Sequence, residues 1–170
     1  MNLTLIGMAG AGKTYLGAKL SKGLGLRSVD SDVLLSDAYG GRDIQGILDE
    51  LGEKEYLATE ARICIENTLG CDGLLLSPSG SVVYTDKWVD HLRNISTVIY
   101  LKVPFETIET RLEKVPPRAI IGLGRKTLRE LYDERHPLYE SAANLIIGTH
   151  GRDTDKVARM ILDFLKLSER

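Results

Sequence analysis

The sequence lacks the features that mark nucleic-acid-binding, membrane or secreted proteins. It has no excess of positive charge, because 22 Lys and Arg stand against 24 Asp and Glu, for a net charge of -2. A polyanion would therefore meet no broad basic field. No apolar run is long enough to cross a bilayer, and Met1 leads into an apolar strand without a basic region. We expect a cytoplasmic protein with no nucleic-acid or membrane partner.

Cysteine is scarce, and repeats and low-complexity segments are missing. The two cysteines, Cys64 and Cys71, lie near no His or Cys at metal-binding spacing, so we interpret them as reduced, ordinary thiols. A chain of 170 residues with 43% hydrophobic content suits one buried core. We predict a single domain over residues 1–170.

One motif is strong. The stretch LIGMAGAGKTY, residues 5–15, fits the pattern G-x-x-x-x-G-K-[ST] through Gly7, Gly12, Lys13 and Thr14. In that pattern, backbone N–H groups surround phosphates, the Lys reaches the β and γ oxygens, and the Ser or Thr hydroxyl ligates Mg²⁺. An apolar strand precedes the motif and a helical pattern follows it, which is the context that it needs. The motif predicts a phosphate-binding loop for a nucleotide.

Apolar runs alternate with segments of helical periodicity along the chain. We predict strands at 2–6, 28–30, 73–77, 97–102 and 145–148. We predict helices at 13–24, 31–39, 43–51, 53–69, 86–92, 105–114, 125–139 and 153–166. This alternation indicates an α/β, three-layer fold, in which a five-stranded parallel sheet has helices on both faces, as in a P-loop kinase.

Two further segments fit phosphoryl transfer. Asp30 and Asp32 follow the second strand, where parallel sheets bind ligands, so one carboxylate could orient Mg²⁺ through water and the other could accept a proton from a hydroxyl. Alternatively, Asp30 or Ser31 only caps the next helix. Residues 115–124, VPPRAIIGLG, contain two prolines, two glycines and one arginine, Arg118, and are predicted to form a mobile lid.

These motifs together resemble the shikimate kinase family, within the nucleoside-monophosphate-kinase-like group of P-loop proteins. The family has Asp-x-Asp after its second strand, a Gly-Glu-x-x-Phe-Arg-x-x-Glu helix start, a Gly-Gly-Gly turn, an Arg-Pro-Leu lid and an Arg-x-Pro-Leu-Tyr segment. The corresponding stretches here are DSD, GEKEYLATE, SPSGS, PRAII and RHPLY. The resemblance covers nearly the whole chain.

The resemblance implies a role for each matching residue. Lys13, Asp32 and Arg118 would be catalytic, with Asp32 as the base that faces the substrate hydroxyl. Thr14 and Asp30 would lie near Mg²⁺, and Asp32, Glu60, Gly80 and Arg135 would contact the acceptor. ATP would be bound by Gly10, Ala11, Gly12, Lys13, Thr14, Tyr15, Arg111, Arg118 and Arg152, with Arg111 and Arg152 flanking the adenine.

The chain departs from the family pattern at the acceptor. The family's helix-start Arg, which with the Arg of the Arg-x-Pro-Leu-Tyr segment grips the substrate carboxylate, is Leu57 here. An apolar side chain cannot bind a carboxylate. Lys54 or Arg62 is an alternative source of the missing charge. Ser79 and Ser81 replace two of the three family glycines, adding hydroxyls and bulk.

The sequence as a whole favours a monomeric, ATP- and Mg²⁺-dependent kinase that phosphorylates a hydroxyl of a small molecule, shikimate by resemblance. One alternative is a related kinase retuned to a less anionic acceptor, which Leu57 and the retained Glu60 favour. The other is a nucleotide-binding regulatory protein without acceptor chemistry. The intact Asp30, Asp32, Arg118 and Arg135 argue against the regulatory protein.

Overall fold

The sheet is the centre of the structure, a computed structural model that describes residues 1–168. All strand pairings are parallel, and the order across the sheet is β2-β3-β1-β4-β5. Consecutive strands are joined through helices, as parallel pairing requires. The strands are β1 (Leu3–Ile6), β2 (Arg27–Asp30), β3 (Leu74–Ser77), β4 (Thr97–Lys102) and β5 (Leu145–Gly148).

Seven α-helices and one 3₁₀ turn, Val82–Tyr84, connect and cover these strands within the described residues. The helices are α1 (Lys13–Leu24), α2 (Ser31–Ala38), α3 (Ile44–Thr68), α4 (Asp86–Ile95), α5 (Phe105–Glu113), α6 (Leu128–Ala142) and α7 (Thr154–Ser168). No helix within residues 1–168 is long and apolar enough to span a bilayer.

Both faces of the central strands are covered. Every residue of β1 and β3 is buried, although successive side chains of a strand point to opposite faces. Such continuous burial is typical of a parallel sheet packed between two layers of helices. The predicted fold class is therefore confirmed.

Helix ends differ more from the prediction than strand ends do. The predicted division between helices 43–51 and 53–69 is confirmed, because α3 consists of two helical segments separated at Gly52, where φ is 71°. Helix α6 begins at Leu128 rather than at 125, because Thr127 and Glu130 form a reciprocal capping box there. It then continues past the predicted end at 139 to Ala142. The 3₁₀ turn after β3 is not predicted from the sequence.

The predicted lid, residues 115–124, has no helix or strand of its own. Its C-terminal end is attached to two helices. Glu53 of α3 accepts a hydrogen bond from Gly122 N at 2.9 Å, and Arg135 of α6 donates one to Ile121 O at 2.5 Å. Arg118 lies on the exposed part of the loop. The mobility of this segment stays a prediction.

Candidate active site

The loop between β1 and α1 has the backbone form that anion binding requires. Gly12 is the N-cap residue of α1, with φ 93° in the left-handed region, and no side chain caps the helix. The first N–H groups of an α-helix have no partner inside the helix. Because no side chain occupies them here, they are free to bind a phosphate, to which the helix dipole adds positive potential.

Lys13 is held inside the same loop. Its Nζ donates hydrogen bonds to the carbonyl oxygens of Gly7 at 2.8 Å and Met8 at 3.2 Å. Burial lowers the pKa of Lys13 to about 8, while the carboxylates of Asp32 and Asp30 act in the opposite direction. A negatively charged ligand at this position would favour the protonated amine further.

A cavity of about 510 Å³ lies outside the loop, and we call it the loop cavity. Arg111, from α5, reaches back to the loop and donates a hydrogen bond to Gly10 O at 2.9 Å. Arg152 follows β5 and donates to Gly148 O. The structure thus brings the two predicted adenine-flanking arginines to one cavity with the motif residues. The predicted nucleotide-binding residues that line it are Gly10, Ala11, Gly12, Lys13, Thr14, Tyr15, Arg111, Arg118 and Arg152.

A second cavity, of about 360 Å³, opens at the carboxyl ends of β2 and β3, and we call it the strand cavity. Ligands of open parallel sheets bind in crevices at this end of the strands. The predicted site residues that line it are Lys13, Thr14, Asp30, Asp32, Gly80, Arg118 and Arg135.

The two cavities meet at a shared wall formed by Ala9, Lys13, Thr14 and Arg118. Three of these four residues carry a positive charge or a hydroxyl. A phosphate held by the loop would therefore lie between a ligand in the loop cavity and a ligand in the strand cavity, beside two cations.

Asp30 caps the next helix, and both aspartates also line the strand cavity. Asp30 Oδ1 accepts a hydrogen bond from Asp32 N at 2.9 Å and so caps α2. Both carboxylates also line the strand cavity. Burial, followed by the charge of Asp30, raises the pKa of Asp32, while Lys13 and Arg118 lower it. Asp32 is therefore more basic than an ordinary aspartate, which suits a group that accepts a proton.

Arg135 lines the far side of the strand cavity, and only 1% of the residue is exposed. Its Nε donates to Tyr84 Oη at 3.0 Å, its Nη2 donates to Ile121 O, and its guanidinium lies 4.9 Å from the centre of the Tyr84 ring. A Cβ added to Gly80 would lie 3.4 Å from Arg135 Nη1 and 3.2 Å from Ala9 N. A glycine at position 80 therefore leaves little room for a side chain between Arg135 and the phosphate loop.

Glu60 lies behind the cavity wall. It is 1% exposed and does not line the strand cavity. Its Oε1 accepts a hydrogen bond from Ser31 Oγ at 2.9 Å, and Ser31 Oγ in turn accepts one from Ser79 N at 2.8 Å. Burial raises the pKa of Glu60 to about 7, although hydrogen bonds from Ser79 and Ser31 lower it. Direct contact between Glu60 and a substrate remains a prediction.

Within residues 1–168, no other cation takes the place of the family arginine that Leu57 replaces. Leu57 is half-buried and packs against an apolar cluster that contains Tyr56 and Ile121. Lys54 is exposed, and Arg62 is exposed and hydrogen-bonds to Glu66 at 3.2 Å. Neither alternative cation lines the strand cavity. The acceptor side of the site therefore contains Arg135 without the second arginine of the family pattern.

Two tyrosines of the site are not predicted from the sequence. Tyr84 holds Arg135, and Tyr56 lines the strand cavity while being only 2% exposed. The signal for Tyr56 is visible in the motif, because it occupies the position at which the family pattern has Phe. For Tyr84 the sequence carries no such signal, since its role arises from a contact across 51 residues.

The residues near the shared wall fit a magnesium ion. Within residues 1–168, no three His, Cys, Asp or Glu side chains form a cluster that could hold a metal by themselves. Mg²⁺ in nucleotide sites is bound by one or two protein groups, with phosphates and water as its other ligands. The Thr14 hydroxyl and the Asp30 carboxylate, which line the same cavity, match that donor set.

Comparisons with known proteins agree with this geometry. The family model for shikimate kinase matches residues 9–166. The shikimate kinase of Persephonella marina is 31% identical over 161 residues, covering 95% of this chain and 96% of that protein, and that of Marinomonas sp. is 33% identical over 171 residues, covering 97% and 92%.

Solved structures give the same result. A shikimate kinase from Acinetobacter baumannii in complex with shikimate superposes with a TM-score of 0.85 at 30% identity, covering 99% of this chain and 94% of that chain. A deoxyadenosine kinase from M. mycoides with bound dATP has a TM-score of 0.63 at 16% identity, which supports the fold alone.

Proposed function

This chain belongs to the shikimate kinase family of ATP-dependent phosphotransferases that act on a hydroxyl, and we propose that its two cavities divide the substrates between them. ATP binds in the loop cavity, and a small-molecule acceptor binds in the strand cavity. The observation that carries this proposal is the shared wall of Ala9, Lys13, Thr14 and Arg118, at which the γ-phosphoryl group would pass from one ligand to the other.

Phosphoryl transfer depends mainly on positioning and on charge stabilisation. The N–H groups at the start of α1 bind the phosphates, and Lys13 and Arg118 offset the negative charge of the group in transfer. Asp32 accepts the proton of the attacking hydroxyl. Its position in the strand cavity and its raised pKa support that role.

Thr14 and Asp30 are the residues that would hold Mg²⁺, Asp30 through water. The ion would neutralise charge on the β and γ phosphates. Asp30 has one carboxylate oxygen committed to the N-terminus of α2, which fixes the orientation of the group.

Shikimate is the first acceptor to test, because the relative from Acinetobacter baumannii is described in complex with it. Arg135 supports a carboxylate-bearing acceptor, since its guanidinium faces the strand cavity. A second candidate is a less anionic acceptor. Leu57, which packs among apolar side chains and leaves Arg135 without a neighbouring arginine, favours this candidate.

A coupled assay of ADP release tests the proposal. The enzyme is supplied with Mg²⁺ and ATP and with each of a panel of hydroxyl compounds, including shikimate. We expect acceptor-dependent ADP formation that Arg118→Ala reduces. Arg125→Ala is a matched control, because Arg125 is exposed and pairs with Glu53 outside both cavities. If ADP is released at the same rate with and without every compound, phosphoryl transfer to a hydroxyl is contradicted.

We also propose that the enzyme acts as a monomer in the cytoplasm.

A further inference from the structure

The strand cavity is richer in hydroxyl groups than the family pattern provides. Tyr56, Ser79 and Ser81 all line it. These positions correspond to Phe, Gly and Gly in the family pattern. Ser79 Oγ and Ser81 Oγ lie 2.9 Å apart and bond to each other. The substitutions therefore add three hydroxyl groups to one cavity, in the same chain that lacks the arginine at position 57.

Behind the cavity, Glu60 is hydrogen-bonded to a serine rather than paired with a cation. Glu60 lies three residues after Leu57 on α3, on the same face of the helix. Its buried carboxylate pairs with no Lys or Arg in residues 1–168, and it is bonded to Ser31, which Ser79 N orients. A buried carboxylate that loses its cation without replacement strongly destabilises a protein. In this chain the hydrogen bond from Ser31 is the contact that compensates the Glu60 carboxyl group.

The charges in the strand cavity balance. Lys13, Arg118 and Arg135 are its cations, and Asp30, Asp32 and Asp43 are its anions. Lys13 and Arg118 lie on the shared wall, where ATP phosphates would engage them. Arg135 is then the single cation left for the acceptor, and two of its N–H groups already donate to the protein, one from Nε to Tyr84 Oη and one from Nη2 to Ile121 O.

Tyr56 and Ser77 both line this cavity, and Ser77 Oγ is buried without a hydrogen-bond partner among residues 1–168. The Tyr56 hydroxyl makes no hydrogen bond to the described residues, although only 2% of the residue is exposed. Burial, with the neighbouring carboxylates of Glu60 and Asp32, raises the pKa of Tyr56, so that the phenol stays protonated and is a donor. The Tyr56 hydroxyl oxygen is not among the buried atoms without a partner, so it is accessible from the cavity, where a ligand can accept a hydrogen bond from it.

We propose that the strand cavity selects an acceptor whose polar groups are uncharged, hydroxyl or carboxamide rather than carboxylate, and that the Tyr56 hydroxyl donates a hydrogen bond to one of them. Tyr56 is then a specificity-determining residue. Leu57 disfavours a carboxylate, because the carboxylate charge would be paired with Arg135 alone instead of with two arginines. This inference rests on the proposed function only in taking the strand cavity as the acceptor site.

Shikimate and its carboxamide, shikimamide, form a matched pair of probes, because they share the ring and the hydroxyls and differ in charge. Titration calorimetry on the enzyme saturated with ADP and Mg²⁺ gives the affinity for each. We expect wild type to bind shikimamide more tightly than shikimate. Tyr56→Phe should weaken shikimamide binding by about tenfold, the effect of one lost hydrogen bond. Tyr39→Phe is the control, since Tyr39 packs against the same apolar cluster outside the cavity.

Leu57→Arg is expected to reverse the preference. A second guanidinium beside Arg135 forms a two-sided clamp and should raise the affinity for shikimate by roughly tenfold to a hundredfold, with little gain for shikimamide. Circular dichroism confirms that each variant is folded.

Tighter binding of shikimate than of shikimamide by wild type, or binding of neither at millimolar concentration, overturns the inference. Equal shikimamide affinity in wild type and Tyr56→Phe overturns the role of Tyr56. Phosphoryl transfer is measured separately with the same two compounds. If shikimamide binds in the expected order and ATP is never consumed, the proposed function fails and the selectivity stands.

Discussion

Ser31 donates a hydrogen bond from its hydroxyl to Glu60 Oε1 over 2.9 Å, and this contact joins the first residue of α2 to α3. The carboxylate that accepts it is 1% exposed and has no salt-bridge partner within residues 1–168. A hydroxyl compensates a buried charge less than a cation does. Burial raises the pKa of this carboxyl group to about 7, and this has consequences for stability.

Glu60 should make the protein less stable as the pH rises. The pKa of Glu60 is raised from 4.5 to about 7 in the folded state. The folded state thus holds the proton more tightly than the unfolded chain, so the stabilisation is complete below pH 4.5 and is lost as the pH rises through 7. We expect a loss of about 3 kcal/mol over that interval. Urea denaturation at pH 4.5 and 8 measures it.

Glu60→Gln should remove most of that pH dependence, because the amide does not titrate and still accepts from Ser31. Glu55→Gln is the matched control, since Glu55 is an exposed glutamate on the same helix. If the stabilities of wild type and Glu60→Gln change with pH in parallel, the pKa of Glu60 is the same in the folded and unfolded states.

Lys13→Ala should lower kcat by about a hundredfold or more with any acceptor. Losing one preorganised charge at the developing transition state has effects of that size. Lys22→Ala, on the exposed last turn of the same helix, controls for a change in the charge of α1. Steady-state kinetics decide the question, and kcat near the wild-type value would contradict the phosphoryl-transfer role of Lys13.

The activity should also fall on the alkaline side because of Lys13. Its pKa is about 8 in the free protein. The pH profile of kcat/KM for ATP reports groups of the free enzyme, so we expect it to decline above about pH 8. The profile of kcat should decline at higher pH, because bound phosphates favour the protonated amine. Coincident alkaline limbs would contradict this assignment.

Asp32→Asn and Asp30→Asn should differ. The amide at position 32 keeps its shape but cannot accept a proton, so kcat should fall while nucleotide affinity is retained. Asp30→Asn should instead raise the Mg²⁺ concentration needed for half-maximal rate. Kinetics at varied ATP and Mg²⁺ separate the two variants. Identical behaviour would show that the two carboxylates do not divide the work in this way.

Gly80→Ala should impair the acceptor step without unfolding the protein. Its new Cβ would lie 3.2 Å from Ala9 N and 3.4 Å from Arg135 Nη1, so either the loop or the guanidinium must shift. Displacement of a positioned group by a fraction of an ångström can lower rates by about tenfold or more. We expect a lower kcat/KM for the acceptor. Gly23→Ala is the control, because its Cβ would meet no atom within 4 Å.

The phosphate loop and the strands were predictable because their signals are local. The bounds of β4 and β5 agree with the prediction, since each is a short apolar run between turns. The motif from Gly7 to Thr14 encodes its own backbone form through its glycines. Helix ends were less predictable, because the capping box of Thr127 competes with helical periodicity that already begins at Arg125.

The inner side of the acceptor pocket depends on contacts that the sequence does not reveal. Arg135 is held by Tyr84, which is 51 residues away along the chain. Glu60 pairs with Ser31 across 29 residues, so its position behind Ser79 could not be derived from helical spacing alone. Leu57 was recognised as a departure, but the fate of the vacated position could be seen only from the packing around it.

The central place of β1 has a consequence for synthesis on the ribosome. The strand that carries the phosphate loop pairs with β3 on one side and β4 on the other, through Leu3↔Leu75 and Leu3↔Thr97. A nascent chain contains the whole motif once Thr14 has emerged, but both neighbours of its strand only after Lys102. Chain fragments that end before β4 therefore contain the complete nucleotide signature without the sheet that shapes it. ATP can stabilise only chains that have passed this point, since a ligand stabilises the state that binds it.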